Sequence, residues 1–392
     1  MTIGKFFGSI LLIIGTSIGG GMLALPVATA AGGFYYSVLA FIFCWFIMTA
    51  GAFLILEVLQ PLPQGSNMIS LARHYLGKPG EMVVWLFYLA LLYSLVGAYI
   101  SGGTDVLNNA LQQFDIQLPL SMVSAIYTLT FSFIIYKGIY WVDYVNRVLM
   151  FGKLGTYLIL VLIVAPFVKF LHLNSGTLKG LLPNLSILIT SFGFASIVPS
   201  LRDYWRNDIA ALKKIIFWGS LTPLVCYLIW NLVIMGSVGQ DALNALVSSA
   251  HATSGVGKAL LEKTSSESIL GLFDFFSCIC MLTAFLSVSL GLYDFLADGF
   301  KMKKSGLQGK TVLAMTFLPP LALVIVNPGI YLSALNYAGS FCIILLLFIP
   351  VLMSWKFRKQ SKSTDIILPG QKWVLSFLLI SAIFCMMIPY AQ

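Results

Sequence analysis

The sequence predicts an all-α integral membrane protein with eleven membrane-spanning helices. Hydrophobic residues make up 59% of its 392 residues and charged residues only 9%, whereas a soluble domain carries about 25% charged residues. So few charged side chains do not solvate the surface of a globule of this size. Aromatic residues, at 14%, argue against disorder because they bury large apolar areas. A soluble enzyme, a nucleic-acid-binding module and a secreted disulfide scaffold are therefore excluded.

Eleven stretches are long and apolar enough to cross a bilayer, which takes about 17 to 25 residues per helix. In chain order, the predicted spans are 4–31, 34–60, 80–110, 119–136, 144–168, 182–202, 211–236, 268–298, 310–326, 329–354 and 371–390. The apolar stretch of the first span is too long for a signal peptide, so we expect it to be retained. Residues 66–77 mix apolar positions with Arg73 and His74 and are predicted as an interfacial helix.

Lysine and arginine are divided unequally between the two sets of span ends. Of the 23, eighteen lie on the side of the N-terminus, four lie on the other side and Lys153 lies inside the fifth span. Because cytoplasmic loops carry the excess of these residues, we expect the N-terminus in the cytoplasm. An odd number of spans then places Gln392 outside. This distribution accounts for the net charge of +9 without a nucleic-acid partner.

Two spans depart from a regular apolar helix. The first contains G-T-S-I-G-G-G-M at 15–22, and glycine in a helix interior costs roughly 1 kcal/mol relative to alanine. Close helix packing explains Gly15 and Gly19, four residues apart, but an unwound segment explains the consecutive run 19–21 better. The sixth span carries S-F-G-F-A-S at 191–196 and V-P-S at 198–200, which favours a second interruption.

The two interruptions occupy equivalent places if spans 1–5 and 6–10 form two halves. Five spans is an odd number, so the halves have opposite orientations, as in transporters built from inverted repeats. The predicted domains are 1–170 and 171–357 for the two halves, and 358–392 for a cytoplasmic loop and the eleventh helix. Free amide groups at a half-helix N-terminus bind a carboxylate, and freed carbonyls accept from an ammonium group. The pattern therefore favours transport of an amino acid.

The residues at these interruptions resemble a known family. The run G-T-S-I-G-G-G-M-L-A-L-P at 15–26 is similar to the G-T-x-I-G-x-G-M-L-A-x-P of the bacterial hydroxy and aromatic amino acid permeases, in the APC superfamily. Further matches follow in the family's order: L-E-V with Gln60, A-Y-I-S-G at 98–102, N-R at 146–147 followed by Lys153, S-F-G-F at 191–194, P-S at 199–200, G-L-Y-D-F-L-A-D at 291–298 and F-L-P-P at 317–320. They resemble the tyrosine permease branch most, with the tryptophan permease branch next.

The resemblance implies a LeuT-like fold, a 5+5 inverted repeat with discontinuous helices 1 and 6 plus an eleventh helix. It also implies a bacterial inner-membrane carrier, without a cofactor, that brings an aromatic amino acid into the cytoplasm together with protons by alternating access. L-tyrosine is the expected substrate. The family commonly reads S-F-G-F-H-G-S in its sixth span, where this chain has Ala195, so no role of that histidine transfers. The three histidines, in predicted loops, argue against a buried histidine relay.

The substrate is expected between the first and sixth spans, with contributions from the third. The candidates are Thr16, Ser17, Gly19, Gly20 and Gly21 on the first span, Phe192, Gly193, Phe194 and Ser196 on the sixth and Tyr93 on the third. The aromatic side chain of a substrate wants ring neighbours, and distinguishing tyrosine from phenylalanine needs a buried polar group at the phenol. Asn336, Ser277 and Tyr99 are equally good candidates for that group.

Lys153 lies about ten residues into the fifth span, too deep for its ammonium group to reach the interface easily. In sodium-coupled carriers of the implied fold, a cation bridges the unwound first helix and the eighth helix. A lysine in that gap could replace sodium, holding the helices together when charged and releasing them when neutral. The alternative is a permanently charged structural lysine that pairs with a carboxylate or with helix-end carbonyls. The first role would favour coupling to protons over sodium.

Other acidic residues are expected in supporting roles. Asp294 and Asp298 lie one turn apart near the end of the eighth span, where they would pair with basic loops or stabilise a gate, and Glu57 has the same status. The sequence indicates no partner for Asp274 in the eighth span, and we expect Asp105 on a solvated surface.

Other functions explain the sequence less well. Tryptophan, serine or threonine remain alternative substrates within the family. A membrane-embedded enzyme would need clustered carboxylates, a channel would not need paired interruptions, and an ATP-driven pump would need a G-x-x-x-x-G-K-[ST] loop. A sensor that binds an amino acid without moving it also stays open. No metal site is expected, because Cys278 and Cys280 point apart on a helix.

Overall fold

The computed structural model describes residues 3–137, 139–174, 176–247, 249, 251–360 and 366–388, and these form helices, turns and loops without a β-strand among them. Nine segments in this part of the chain are long and apolar enough to cross a membrane, alongside two shorter apolar helices, Gly4–Ser17 and Lys372–Met387. The α-helices are α1 (Ile3–Ser17), α2 (Gly20–Thr29), α3 (Gly33–Leu59), α4 (Met68–Gln112), α5 (Leu120–Lys137), α6 (Ile139–Val164), α7 (Leu178–Leu181), α8 (Leu185–Ser191), α9 (Val198–Tyr204), α10 (Ile209–Val238), α11 (Gln240–Ala245), α12 (Ser254–Thr264), α13 (Glu267–Gly299), α14 (Gly306–Val326), α15 (Tyr331–Ile343), α16 (Ile349–Gln360) and α17 (Gln371–Met387).

Each predicted span corresponds to one or two of these helices. The first span is α1 with α2, the sixth is α8 with α9 and the tenth is α15 with α16, while α3, the second part of α4, α5, α6, α10, α13, α14 and α17 form the others in order. Apolar helix continues from Gly20 to Leu59, but Gly33, with φ 70° and ψ 174°, separates α2 from α3. The predicted end of the eleventh span, 389–390, and Gln392 lie outside the described residues.

The interfacial helix predicted at 66–77 is the first part of α4. Asn67 starts it, because its side chain accepts hydrogen bonds from the amides of Ile69 and Ser70 at 3.0 Å each. Gly77 then leaves helical geometry with φ 76° and ψ −167°, a conformation that glycine adopts readily. The turn at Gly77 separates the interfacial part from the third span.

The face at which α1 begins is called the α1 face here, and the other the opposite face. Between the seventh and eighth spans, the loop on the opposite face contains α11 and α12, neither of which the sequence analysis predicted. The tenth span also contains an unpredicted π-helical segment, Ile344–Phe348, between α15 and α16. Gly51 of α3 packs against the Leu346 carbonyl of this segment, and a Cβ at Gly51 would collide with that oxygen.

The interrupted helices lie in the middle of the bundle. Helix α13 packs along α4 and α6, and α15 packs along α4 and α8, so these helices enclose α2 and α8. All ten residues of α2 are buried. By contrast, α5, α6 and α14 expose large apolar side chains such as Phe133, Phe151 and Leu318. Exposed groups of this kind suit contact with lipid rather than water.

Candidate functional site

The first span is interrupted at Ile18 and Gly19, between α1 and α2. Gly19 is extended, with φ −151° and ψ −152°, so the carbonyls around it lose their partners within a continuous helix. The carbonyls of Ser17 and Ile18, at the end of α1, and the carbonyl of Gly20, in the first turn of α2, accept hydrogen bonds from three other spans. The pairs are Tyr227 Oη to Ser17 O at 2.6 Å, Lys153 Nζ to Ile18 O at 2.6 Å and Tyr331 Oη to Gly20 O at 2.5 Å. The seventh, fifth and tenth spans thus hold the interruption in a defined conformation.

Lys153 reaches this interruption from α6 and is 2% exposed. Its ammonium group donates to Ile18 O, and α6, which carries Lys153, packs along α13. On the same helix, Ala284 Cβ lies 3.4 Å from the position of a Cβ on Gly19. Lys153 therefore lies where the first, fifth and eighth spans meet. The contact with a carbonyl suits either of the two roles considered for this lysine.

Tyr227 joins the interruption of the first span to that of the sixth. Its hydroxyl lies 2.6 Å from Ser17 O and 3.0 Å from Ser191 O, the last residue of α8. The side chain is fully buried, and its ring meets Phe192 edge-on with centroids 5.3 Å apart. Because a hydroxyl has one hydrogen, the two carbonyls share a single proton. The sixth span continues through a 3₁₀ segment, Gly193–Ile197, before α9 begins.

Space and polarity at the first interruption are tightly defined. A Cβ at Gly20 would lie 2.7 Å from Tyr99 Cε1 and 3.0 Å from Met281 Sδ. At the interruption, the hydroxyl of Ser17 is buried and has no hydrogen-bond partner among the described residues, although buried polar atoms usually have one. The same is true of the hydroxyl of Ser277 on α13. The N-terminus of α2 adds amides without intrahelical partners and a partial positive charge. This arrangement can hold a small anion such as a carboxylate.

Four residues that the sequence suggests for the substrate site donate side-chain hydrogen bonds to backbone carbonyls instead. These are Thr16 Oγ1 on Ile13 O at 2.8 Å, Tyr93 Oη on Met315 O at 2.7 Å, Ser196 Oγ on Gly193 O at 3.3 Å and Asn336 Nδ2 on Pro183 O at 3.0 Å. Thr16 is also exposed. The structure therefore brings Ser17, the glycines 19–21, Tyr99 and Phe192 to the interruptions but occupies the hydroxyls of Thr16 and Tyr93 elsewhere. Phe194 and Ala195 are buried in the 3₁₀ segment.

Polar contacts link span ends on the α1 face. Arg202, 2% exposed near the end of α9, donates to the carbonyls of Leu62 and Pro63 in the loop after α3. Lys5 of α1 donates to Tyr204 O at 2.8 Å. These contacts join the ends of the first, second and sixth spans.

Glu57 is fully buried at the end of α3. Its carboxylate accepts from Arg358 Nε at 2.6 Å and Nη2 at 2.9 Å, and from the amides of Ile367 and Leu368 at 2.9 and 3.2 Å. This network ties the second span to α16 and to the segment that precedes α17. The sequence predicted a pairing role for Glu57, and the structure identifies its partner across 301 residues of chain.

Asp294 and Asp298 pair with a basic loop, as one of the sequence alternatives proposed. Lys304 Nζ lies 2.9 Å from Asp294 Oδ1 and 3.7 Å from Asp298 Oδ1, and all three side chains are substantially exposed. Exposed pairs of this kind contribute about 0 to 1 kcal/mol. Among the described residues, no group of three or more His, Cys, Asp or Glu side chains is placed to hold a metal ion.

The expectation of a solvated Asp105 was wrong. This residue of α4 is 4% exposed, and the loop before α12 covers it. Its carboxylate accepts from Thr253 N at 3.0 Å, Ser254 N at 2.8 Å and Ser254 Oγ at 2.6 Å, and lies 3.0 Å from His251 Nδ1. The carboxylate thus caps the N-terminus of α12, where negative charge is favourable. This cap fastens the loop of the opposite face to the third span.

The hydrogen bond to Asp105 raises the pKa of His251 above its ordinary value of 6.5. The folded protein therefore holds this proton more tightly than the unfolded chain. Its contribution to stability is complete below pH 6.5 and is lost as pH rises through the folded pKa. We expect the melting temperature of the wild type to fall relative to that of His251→Gln over this range. Because the side chain is 46% exposed, the effect is about 1 kcal/mol or less.

The measurement is a series of melting temperatures in detergent between pH 5.5 and 9. His74, exposed near the α1 face, supplies the matched control, and His74→Gln should retain the wild-type pH dependence. An unchanged pH dependence in His251→Gln would contradict the assignment.

The sequence did not predict the roles of three residues at this site: Tyr227, Tyr331 and Arg202. Nothing in the sequence distinguishes these two tyrosines from the other fifteen of the 17, and their acceptors lie 210 and 311 residues away. For Arg202 the sequence does contain an indication of a role, because a charged residue lies within one turn of the V-P-S in the interrupted sixth span.

Two comparisons of sequence identify relatives of the chain. The model of the tryptophan/tyrosine permease family matches residues 2–389. The protein named tyrosine-specific transport system 1 of Haemophilus influenzae is 31% identical over 391 residues, which cover 99% of this chain and 97% of that protein. The tryptophan-specific transport protein of the same species is 30% identical over 392 residues, with 97% and 94% covered.

A solved structure shares the fold. Mhp1, a nucleobase-cation-symport-1 family transporter in a closed conformation with bromovinylhydantoin bound, matches with a TM-score of 0.65, covering 98% of this chain and 91% of that chain. Sequence identity is 12%, so the likeness concerns the fold alone. Because Mhp1 has the LeuT fold, the predicted fold class is confirmed. By its sequence along nearly the full length, the chain belongs to the tryptophan/tyrosine permease family.

Proposed function

We propose that the protein is a secondary transporter that carries an aromatic amino acid, L-tyrosine, into the cytoplasm together with protons by alternating access. The α1 face is cytoplasmic in this proposal, because the excess of lysine and arginine lies there. The membrane is the bacterial inner membrane, and the protein is a carrier rather than an enzyme or a sensor. The substrate assignment draws on the relatives named for tyrosine transport and tryptophan transport.

The substrate binds between the two interruptions in this proposal. Its carboxylate meets the free amides of Gly20 and Gly21 and the unpartnered hydroxyl of Ser17, where the positive end of α2 adds attraction. The aromatic ring lies beside Phe192, with Phe194 in the same segment. Tyr99 and Ser277 are the polar groups for the phenol, and Ser277 is supported by its unpartnered hydroxyl.

A single contact carries the coupling proposal: Lys153 Nζ at 2.6 Å from Ile18 O. A charged ammonium group on this carbonyl stabilises the interrupted conformation of the first span beside α13. A neutral amine has lost the charge that strengthens this hydrogen bond. Loss of the proton toward the cytoplasm then loosens the first span from the fifth and eighth spans. The proton is carried on this lysine, and no histidine takes part.

The first experiment measures uptake of radiolabelled tyrosine into proteoliposomes with an imposed inward proton gradient and no sodium. Unlabelled tryptophan, phenylalanine, serine, glutamine and leucine are tested as competitors. We expect saturable accumulation that a protonophore abolishes, with aromatic amino acids as the strongest competitors. Accumulation that requires sodium would reject proton coupling, and stronger competition by tryptophan than by tyrosine would reassign the substrate.

Replacement of Lys153 tests the coupling. In Lys153→Gln, we expect proton-driven accumulation to fall at least tenfold, while exchange of internal for external tyrosine falls much less, because exchange needs no net proton movement. Lys169→Gln is the matched control, since Lys169 is an exposed loop lysine on the opposite face. Equal losses of accumulation and exchange would mean that Lys153 is only structural.

A further inference from the structure

A cavity lies outside the two interruptions, between α4, α5 and α13. Its volume is about 250 Å³, and its lining is mostly apolar, with Val106 of α4 and Phe275 of α13 among the walls. Met281 of α13 also lines the cavity, and the sulfur atom of this residue lies 3.0 Å from the Cβ position of Gly20. Met281 thus forms a thin wall between this cavity and the first interruption.

One end of the cavity holds a buried hydroxyl without a partner. Tyr127 is 5% exposed, and its Oη has no hydrogen-bond partner among the described residues. The oxygen lies 2.6 Å from the Cβ position of Gly103, which also lines the cavity. Phe131 and Phe285 fix the ring, with centroids 5.0 and 5.2 Å away. A buried hydroxyl in this position is ready to bond to a polar group inside the cavity.

The other end holds a carboxylate in a fixed position. Asp274 Oδ2 accepts from Asn109 Nδ2 and from Gln113 Nε2, each at 3.0 Å, and Asp274 lines the cavity with Gln113. Both donors are neutral amides, and among the described residues Asp274 has no ion pair. The nearby charged side chains are one cation, Lys258, and one anion, Asp105, so their electrostatic effects on the Asp274 carboxylate oppose each other. The sequence offered no partner for Asp274, and the structure supplies two that orient its charge without neutralising it.

The two ends are separated by a length that suits a small molecule. Asn109 beside Asp274 and Gly103 beside Tyr127 lie six residues apart on α4, a rise of about 9 Å. Aromatic and aliphatic side chains occupy the space between the ends. The cavity therefore offers an anionic group, an apolar middle and a phenolic hydroxyl, with the two polar groups beside positions of α4 that are about 9 Å apart.

We propose that this cavity binds a primary arylalkylamine, an aromatic ring joined by a short alkyl chain to an ammonium group. The ammonium group donates to Asp274, the ring lies against Val106 and Phe275, and a ring hydroxyl pairs with Tyr127. The α-carboxylate of an amino acid would lie against the carboxylate of Asp274 and is repelled. The site therefore selects amines over the amino acids for which the interruptions are suited. Binding of an arylalkylamine in this cavity does not depend on the transport proposal.

The test measures equilibrium binding of radiolabelled tyramine to the full-length protein in lipid nanodiscs. Phenethylamine, 4-ethylphenol and L-tyrosine are the competitors. We expect tyramine to bind more tightly than phenethylamine, which lacks the ring hydroxyl, and 4-ethylphenol, which lacks the amine, to compete weakly. Excess L-tyrosine should not displace tyramine. Displacement by L-tyrosine, or equal competition by 4-ethylphenol, would overturn the proposal in favour of binding at the interruptions or simple apolar partition.

Two variants locate the binding. Asp274→Asn should weaken tyramine about tenfold or more, because a charge-assisted hydrogen bond is lost. Tyr127→Phe should bring tyramine to the affinity of phenethylamine, a loss of roughly two- to tenfold. Glu262→Gln, at an exposed acidic residue of α12, is the matched control and should leave binding unchanged. Wild-type affinity for tyramine in both cavity variants would show that tyramine does not bind in this cavity.

Cys278 provides a second measurement on the unaltered protein. It lines the cavity and is exposed, whereas Cys226 of α10 is partly exposed elsewhere. Saturating tyramine should slow alkylation of Cys278 by N-ethylmaleimide severalfold and leave the rate at Cys226 unchanged. Equal rates at Cys278 with and without tyramine would contradict the proposal. Tyrosine uptake is assayed separately, so a failure here is distinct from a failure of the transport proposal.

Discussion

Glu57→Ala should destabilise the protein by about 3–5 kcal/mol, because it removes one partner of a buried ion pair. Glu57 is fully buried, and the facing Arg358 side chain is 8% exposed. Without the carboxylate, the amides of Ile367 and Leu368 also lose their acceptor. The measurement is the free energy of unfolding in mixed micelles titrated with sodium dodecyl sulfate.

Two further variants separate burial from charge in this prediction. Asp298→Ala removes a carboxylate that is 78% exposed, and its expected cost is about 1 kcal/mol or less. The double variant Glu57→Ala/Arg358→Met replaces the pair with apolar groups and should recover part of the lost stability. Equal destabilisation by Glu57→Ala and Asp298→Ala would show that the buried network contributes no more to the free energy of unfolding than an exposed ion pair.

Gly20→Ala should abolish most tyrosine transport, with a loss of at least tenfold. The added Cβ would lie 2.7 Å from Tyr99 Cε1 and 3.0 Å from Met281 Sδ, closer than side-chain atoms approach. Overpacking of a buried site costs about 1–3 kcal/mol, and here the strain falls on the carbonyl that accepts from Tyr331. The measurement is initial uptake in proteoliposomes at equal amounts of folded protein.

The neighbouring glycine supplies the control. A Cβ at Gly19 would meet only Ala284 Cβ at 3.4 Å, and its φ of −151° suits any residue, so Gly19→Ala should keep uptake within about threefold of wild type. Equal losses in the two single variants would mean that glycine is needed there for flexibility and not for space.

The sequence was sufficient for the fold and located the interruptions to within a few residues, although α2 already begins at Gly20, so that of the predicted unwound run 19–21 only Gly19 is extended. Eleven apolar stretches follow directly from hydropathy, and three consecutive glycines in a span have few explanations besides an unwound helix. Lys153 stood out because a cation deep in a span needs a partner. The partner itself, Ile18 O, was predictable only as a class, since any helix-end carbonyl would satisfy the same requirement.

The contacts that organise the site were not predictable, for a physical reason. Tyr227 acts through its hydroxyl on the Ser17 and Ser191 carbonyls, which become available only because distant helices end there, and Tyr331 adds a hydrogen bond to the Gly20 carbonyl in the first turn of α2. Asp105 was placed on the surface because its span end is near the interface, but the loop that buries it folds back from the seventh span. Local sequence records neither event, because both depend on which helices become neighbours.

The π-helical segment of the tenth span has a consequence for the register of everything after it. A π segment accommodates one residue more than the α-helix it interrupts, and each residue rotates the following helix by about 100°. Asn336 before it is anchored to Pro183, and Arg358 after it to Glu57. Removing one residue from 344–348 would therefore close the segment into a regular α-helix, while Asn336 and Arg358 keep facing their partners. The segment thus absorbs a change of one residue in chain length without turning Arg358 away from Glu57, so a single-codon deletion here should do less harm than one in a membrane-spanning helix without a π segment.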